Sequence, residues 1–128
     1  MQSHEELKIT QLDVINQGHV KIDKIQLKNL LLNKTVTGTY EYNGHRIFKS
    51  YLNPNGNVNG QNDLGSYEEG KFTINEDDTF SIEWDGYWED WTANVYKIDN
   101  KIKFYDIATN MWRTTFFDIQ DAEQTLEV

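Results

Sequence analysis

Nine consecutive residues, Glu83-Trp84-Asp85-Gly86-Tyr87-Trp88-Glu89-Asp90-Trp91, interleave four aromatic rings with four carboxylates around one glycine. Ring faces stack on apolar C–H surfaces and attract cations, while carboxylates accept hydrogen bonds from hydroxyl and ammonium groups. The pattern suits a sugar or a cationic, partly apolar ligand. Strand alternation sends Trp84 and Trp91 inward as core residues of two paired strands, and leaves Tyr87 and Trp88 in the loop between them. There they either cap the mouth of a barrel or face a ligand, and Trp88 is the sharper candidate because packing explains a loop tryptophan less easily. Glu83 and Asp85 share one face of a strand, roughly 6–7 Å apart by strand rise. That spacing, or a pairing of Glu83 with Asp90, permits the two-carboxylate chemistry of a hydrolase, but solvated acids on a strand's outer face show the same spacing.

Trp112 and Arg113 add a second aromatic and cationic pair. Arg113 could bind a carboxylate ligand, stack on a ring, or form a surface ion pair with one of the chain's many acids. No other catalytic pattern stands out. The histidines His4, His19 and His45 are far apart and lack metal-ligand spacing. Ser3, Ser50, Ser66 and Ser81 lack a nucleophile elbow. Asn55, Asn57 and Asn59 before Gly60 loosely imitate a calcium loop, but its twelfth position falls on Ser66 instead of glutamate, so the run reads as a turn. The sequence calls for no metal and no cofactor.

The 128 residues suit one domain. The net charge of −9 is the reverse of what phosphate backbones attract and disfavours nucleic-acid partners. It equally disfavours anionic membrane surfaces. The chain has no cysteine, which removes disulfides, thiolate metal sites and cysteine nucleophiles together. No stretch is long and apolar enough to span a bilayer, so no membrane insertion is expected.

The elements that must position these residues read as follows. Residues 1–22 form a polar lead-in with an ambiguous period and room for one short strand. One short N-terminal helix is predicted over about 23–33, with Asp23 as N-cap, Gln26 completing a capping box, and Asn33 ending it in a left-handed turn. From residue 35 the period is two: Val36, Gly38, Tyr40 and Tyr42 face one side. Asn43-Gly44 signals a hairpin, Arg46 to Leu52 returns, and Asn53-Pro54-Asn55-Gly56 turns. Further strands are expected at 57–61, 70–74, 79–84, 91–96, 101–106 and 112–119, with a loop over 62–69 and a frayed polar tail over 120–128. Short turns without helical crossovers demand antiparallel pairing. The prediction is mostly β: an antiparallel up-and-down meander of about seven or eight strands over 23–119, closing into a small barrel or strongly rolled sheet, with a flattened sandwich as the alternative.

From Leu30 to Phe117 the chain resembles a group of bacterial proteins of unknown function with a lipocalin-like barrel. The residues that carry it are Leu31-Leu32-Asn33-Lys34-Thr35-Val36-Thr37-Gly38, Tyr51 before the Asn55-Gly56 turn, Gly65 to Phe72, Glu83-Trp84, Lys101 to Tyr105, and Met111-Trp112-Arg113. The group's pattern runs through a short helix, a G-K-T-x-x-G stretch, a Y-x-x-G-x-W strand and a late W-x-x-F strand. This chain departs from it with Phe72 where tryptophan is usual, and with Ile82 and Ala93 where the group often has cysteines. The resemblance implies a periplasmic or secreted location, with the leader absent from this chain, and supplies no activity.

The leading expectation is therefore a non-enzymatic binding domain. It would hold a small or extended ligand at an aromatic-lined mouth or shallow interior, with Trp84, Tyr87, Trp88, Trp91, Trp112 and Arg113 as ligand-binding residues. The rivals are a filled barrel acting as a protein–protein module or homodimer, and the carboxylate-dependent hydrolase.

Overall fold

A computed structural model describes residues 10–41 and 45–128. Tyr42 and the Asn43-Gly44 turn lie outside the described residues. Eight strands follow one another: β1 (Lys34–Tyr40), β2 (Ile47–Leu52), β3 (Asn57–Asn62), β4 (Tyr67–Ile74), β5 (Thr79–Trp84), β6 (Trp91–Ile98), β7 (Lys101–Asp106) and β8 (Trp112–Asp121). Each pairs antiparallel with the next, and β8 returns to pair with β1, so the meander is a closed barrel. Within the described residues, the turns at 53–56, 76–78 and 99–100 are those the sequence signals. Gly56 takes a φ of 96°, and Asp99 and Asn100 take 54° and 63°, the paired left-handed angles of a two-residue hairpin turn.

Inward residues of every strand meet in one cluster that includes Val36, Phe48, Leu52, Val58, Phe72, Phe80, Ile82, Val95, Ile102, Phe104 and Phe116. An eight-stranded barrel is just wide enough for side chains to fill, and here they fill it. The void left among Tyr40, Phe48, Trp84, Trp91 and Phe116 is about 10 Å³, no more than one water needs. The shallow interior expected as an alternative ligand site is thus occupied by the protein's own rings. Phe104 lies 5.3 Å from Phe80 and 4.5 Å from Phe116, centroid to centroid.

The helix read from the sequence is present as α2 (Lys24–Leu31), preceded by a second helix, α1 (Gln11–Asn16). In α2 the Asp23–Gln26 capping box is complete and Asn33 has a φ of 59°. Leu27 and Leu31 are fully buried in the barrel core, while Lys24 pairs with Glu76 in the β4–β5 turn. This helix therefore plugs the barrel end formed by the β2–β3, β4–β5 and β6–β7 turns. The sequence reading allows a short strand in this lead-in; over Gln11–Asn16 the chain is instead helical, and with only Val14 buried α1 shows no stripe. Its signal was the Thr10–Asp13 capping box. Gln11 fixes α1 to the barrel wall, accepting hydrogen bonds from Asn94 and Tyr96, and Val14 packs with Tyr96, Ile98, Tyr105 and Trp112 outside β6–β8.

Several strands run longer than the sequence reading: β3 and β6 end one and two residues later, and β4 and β8 differ more tellingly. β4 begins at Tyr67, inside the expected 62–69 loop, because Tyr67, Glu68 and Glu69 complete the ladder to Gln61, Gly60 and Asn59. β8 reaches Asp121, and beyond it Ala122 N–H donates to Asn33 O and Gln124 N–H to Thr35 Oγ1. The first part of the expected frayed tail is therefore tied to the start of β1.

Closure depends on a close approach at Gly38. A Cβ there would collide with the Thr115 carbonyl oxygen and stand 2.9 Å from Phe48 Cζ. Overpacking at such a site costs typically 1–3 kcal/mol, so Gly38→Ala should lower stability by about 3 kcal/mol, read as a drop in the urea midpoint. Burial pushes the Tyr96 and Tyr105 hydroxyls above the ordinary value of 10.0, with the Glu41 charge adding to the effect at Tyr105. The folded chain then keeps protons that the unfolded chain loses, so stability should fall as pH rises above about 10. Phenolate absorbance should show a late-titrating component that Tyr105→Phe reduces, leaving the part due to Tyr96.

Candidate functional site

The open end of the barrel lies opposite α2, where β1, β3, β5 and β7 finish and β2, β4, β6 and β8 begin. A cleft of about 220 Å³ sits there. Tyr40, Tyr87, Trp88 and Trp91 supply its aromatic walls, and Arg46, Asn62, Glu89 and Arg113 its polar ones.

One carboxylate shapes the loop that carries most of these residues. Glu68, at the start of β4, accepts the backbone N–H groups of Gly86, Tyr87 and Trp88 at 3.1, 2.7 and 3.0 Å. Charge-assisted bonds of this kind are about twice as strong as neutral ones. Gly86 is the residue that lets the carboxylate in, since a Cβ there would stand 2.7 Å from Glu68 Cδ. At the loop's other end Asp90 accepts the Trp84 N–H at 2.7 Å. Held in this way, the Trp88 ring meets the Trp84 ring edge-to-face at 4.7 Å and lies over Gly60, where a Cβ would be 3.1 Å from Trp88 Cζ3. Trp88 is therefore half-buried and roofs the core, while the Tyr87 side chain is fully exposed.

Arg113 forms the floor on the far side. Its guanidinium donates to Asp106 at 2.9 Å and to Glu89 at 2.8 Å, and its Cζ lies 5.8 Å from the Trp91 ring centroid. Arg46 pairs with Asp63 at 3.2 Å. These are the only two arginines in the chain, and both border the same cleft.

Of the residues singled out from the sequence, Tyr87, Trp88, Trp91 and Arg113 meet at the mouth, with Trp84 directly beneath Trp88. Trp112 does not join them. The β7–β8 register shifts between Phe104 and Tyr105, so Tyr105 pairs with Trp112 while Phe104 pairs with Thr114. Arg113 is the extra residue of a β-bulge, which turns a strand's side-chain alternation over. Arg113 consequently faces the mouth, and Trp112 packs on the outer wall with Val14 and Tyr105. There Trp112 Nε1 donates to Thr115 Oγ1 and Lys103 Nζ sits 4.5 Å above the ring.

Sequence reasoning missed Tyr40, Arg46 and Asn62 as companions of the loop. The usable signal was the scarcity of arginine: two in an acidic chain, each beside a predicted strand end. Glu83 and Asp85 are both exposed, apart from the mouth cleft, and Asp85 borders a second recess of about 270 Å³ on the outer flank of β2–β4. That recess presents amides and charges such as Asn57, Asn59 and Lys71, and its Tyr51 ring is buried. In the Asn-rich turn, the Asn53 and Asn55 side chains accept the N–H groups of Asn55 and Asn57, the bonds of a turn. Among the described residues no three of His, Cys, Asp and Glu converge as a metal site, and no helix is long and apolar enough to cross a membrane.

Glu68→Ala would leave three N–H groups without their acceptor. Stranding such groups costs about 1–3 kcal/mol in all where water can partly replace it. The variant should keep the barrel's circular dichroism, shift tryptophan emission to the red, and be cut faster by chymotrypsin at Tyr87–Trp88. No protein-family model, no curated protein and no solved structure matches this chain.

Proposed function

We propose that the chain is a non-catalytic binding domain of lipocalin-like form that holds a small ligand with a flat apolar face at the barrel mouth. The observation that carries this reading is the convergence, over a filled core, of Tyr40, Tyr87, Trp88 and Trp91 with both arginines around one cleft. Rings offer stacking surface, and the arginines, Asn62 and Glu89 offer directional polar contacts at its rim. Small-molecule sites combine these features, a mostly apolar wall with a few placed polar groups.

The dimensions bound the ligand. About 220 Å³ falls below the roughly 300 Å³ at which pockets for drug-sized molecules begin. The filled interior leaves no channel for an acyl chain. The ligand is therefore compact, or it is the terminal group of something longer. The resemblance to lipocalin-like bacterial proteins carries a periplasmic or secreted location with it, as part of the same proposal.

A second reading draws on the same filled core and on the fully exposed ring of Tyr87. Exposed tyrosine and tryptophan beside arginine are what an interface hot spot uses, and a partner protein or a second copy would then cover the mouth.

Tryptophan fluorescence of the wild type and Trp88→Phe, titrated with aromatic acids, oligosaccharides and amines, separates the two. A saturable change with the wild type that is lost or much reduced in Trp88→Phe supports the small-ligand reading. No response to any compound, together with self-association in sedimentation velocity that Tyr87→Ser abolishes, favours the interface.

A further inference from the structure

Resting on the mouth as a ligand site, we infer that its ligand is an organic anion, a ring bearing a carboxylate or similar group, and that Glu89 occupies the anion's place in the empty protein. The two carboxylates on Arg113 are unlike each other. Asp106 is 8% exposed and belongs to the barrel wall, whereas Glu89 is 60% exposed and stands on the β5–β6 loop. Arg113 itself is 10% exposed, so its Nη2 needs a new acceptor if Glu89 moves away, because a buried donor left without one is costly.

Asp106 is therefore the permanent partner and Glu89 the exchangeable one. A ligand carboxylate can take the Nη2 position as Glu89 swings into water, and the guanidinium stays paired throughout. The planar fork of arginine matches a carboxylate edge-on. An anion seated there has its ring beside Trp91, whose centroid is 5.8 Å from Arg113 Cζ, and within reach of the Trp88 wall. Arg46, paired with partly exposed Asp63, supplies a second positive edge across the cleft. A cation gains less at this site, because it would have to compete with Arg113 for Glu89.

The exchange makes an unusual sign prediction. A residue that touches ligand normally weakens binding when changed, but Glu89 competes with the ligand, so removing its charge should tighten binding. The test uses 2-naphthoate and its neutral counterpart 2-naphthylmethanol, titrated into the wild type, Glu89→Gln and Arg46→Gln, with the tryptophan indole N–H signals followed by NMR at low salt. Glutamine retains an acceptor for Arg113, and the exposed position keeps the fold intact.

The expected result is tighter binding of naphthoate than of the alcohol to the wild type. Glu89→Gln should bind naphthoate about fivefold more tightly, the size of effect a close charge confers at a partly exposed site, with the alcohol unchanged. Arg46→Gln should weaken naphthoate alone, and added salt should weaken naphthoate more than the alcohol. If the alcohol binds as well as naphthoate, or Glu89→Gln leaves naphthoate unchanged or weaker, the anion assignment is overturned while the mouth site stands. If neither compound shifts the indole signals in any variant, the mouth reading itself fails and takes the anion with it.

Discussion

Pairing of β8 with β1 closes the sheet, and closure fixes the volume that the inward side chains must fill. With eight strands that volume is small. A chain rich in phenylalanine, tyrosine and tryptophan then has no room for an internal ligand. Phe48, Phe72, Phe80, Phe104 and Phe116 occupy the middle, and Leu27 and Leu31 of α2 seal one end. Everything available for recognition is pushed to the other end or to the outer wall. The candidate site lies at the mouth because the core is full.

At the mouth, a single bulge decides which side chains can cooperate. Simple alternation along β8 would put Trp112 on the same face as Thr114 and Phe116, and Arg113 outside. The shifted register at Phe104–Tyr105 exchanges them. Arg113 turns in to Asp106, Glu89 and Trp91, and Trp112 turns out to anchor α1. The same irregularity therefore builds the cationic floor of the cleft and the docking seat of the N-terminal helix. The two halves of the molecule that look least related are linked through one extra residue.

Much of this was legible in the sequence, and the remainder was hidden for physical reasons. Period-two alternation from Val36 onward, the Asn-Pro-Asn-Gly and Asp-Asn turns, and the Asp23–Gln26 capping box each carry a local cause, so strands, turns and α2 could be read within a few residues. α1 could not be read by periodicity, since six residues with one buried side chain show no stripe. Trp112 was placed with the ligand site because a bulge leaves no local mark: Trp112-Arg113-Thr114 is equally good as a regular strand. The role of Glu68 was invisible for a different reason. Its partners, the N–H groups of Gly86 to Trp88, are backbone groups about twenty positions away, and they converge only when β4 and β5 have paired.

The acidity of the chain also takes on a structural meaning. With one proline and eight glycines, the chain is sparing with the residues that usually hold turns. Side-chain oxygens do that work instead. Asp23 caps α2, and Asp13 closes the capping box of α1 by accepting the Thr10 N–H. Asp78 accepts the Lys24 N–H and Asp77 the Thr79 N–H, Asp106 takes that of Ala108, and Glu68 and Asp90 organise the mouth loop. Hydrogen bonding to Thr79 holds the Asp77 carboxyl below its ordinary value, and Lys24 and Lys34 do the same for Glu76 and Asp121. Such groups stabilise the fold above the unfolded carboxylate range and lose that contribution as pH falls through their lowered values. The carboxylates therefore cap helix N-termini, fix turns and shape the cleft. Against that background the chain's two arginines both stand where the barrel opens, each held by carboxylates.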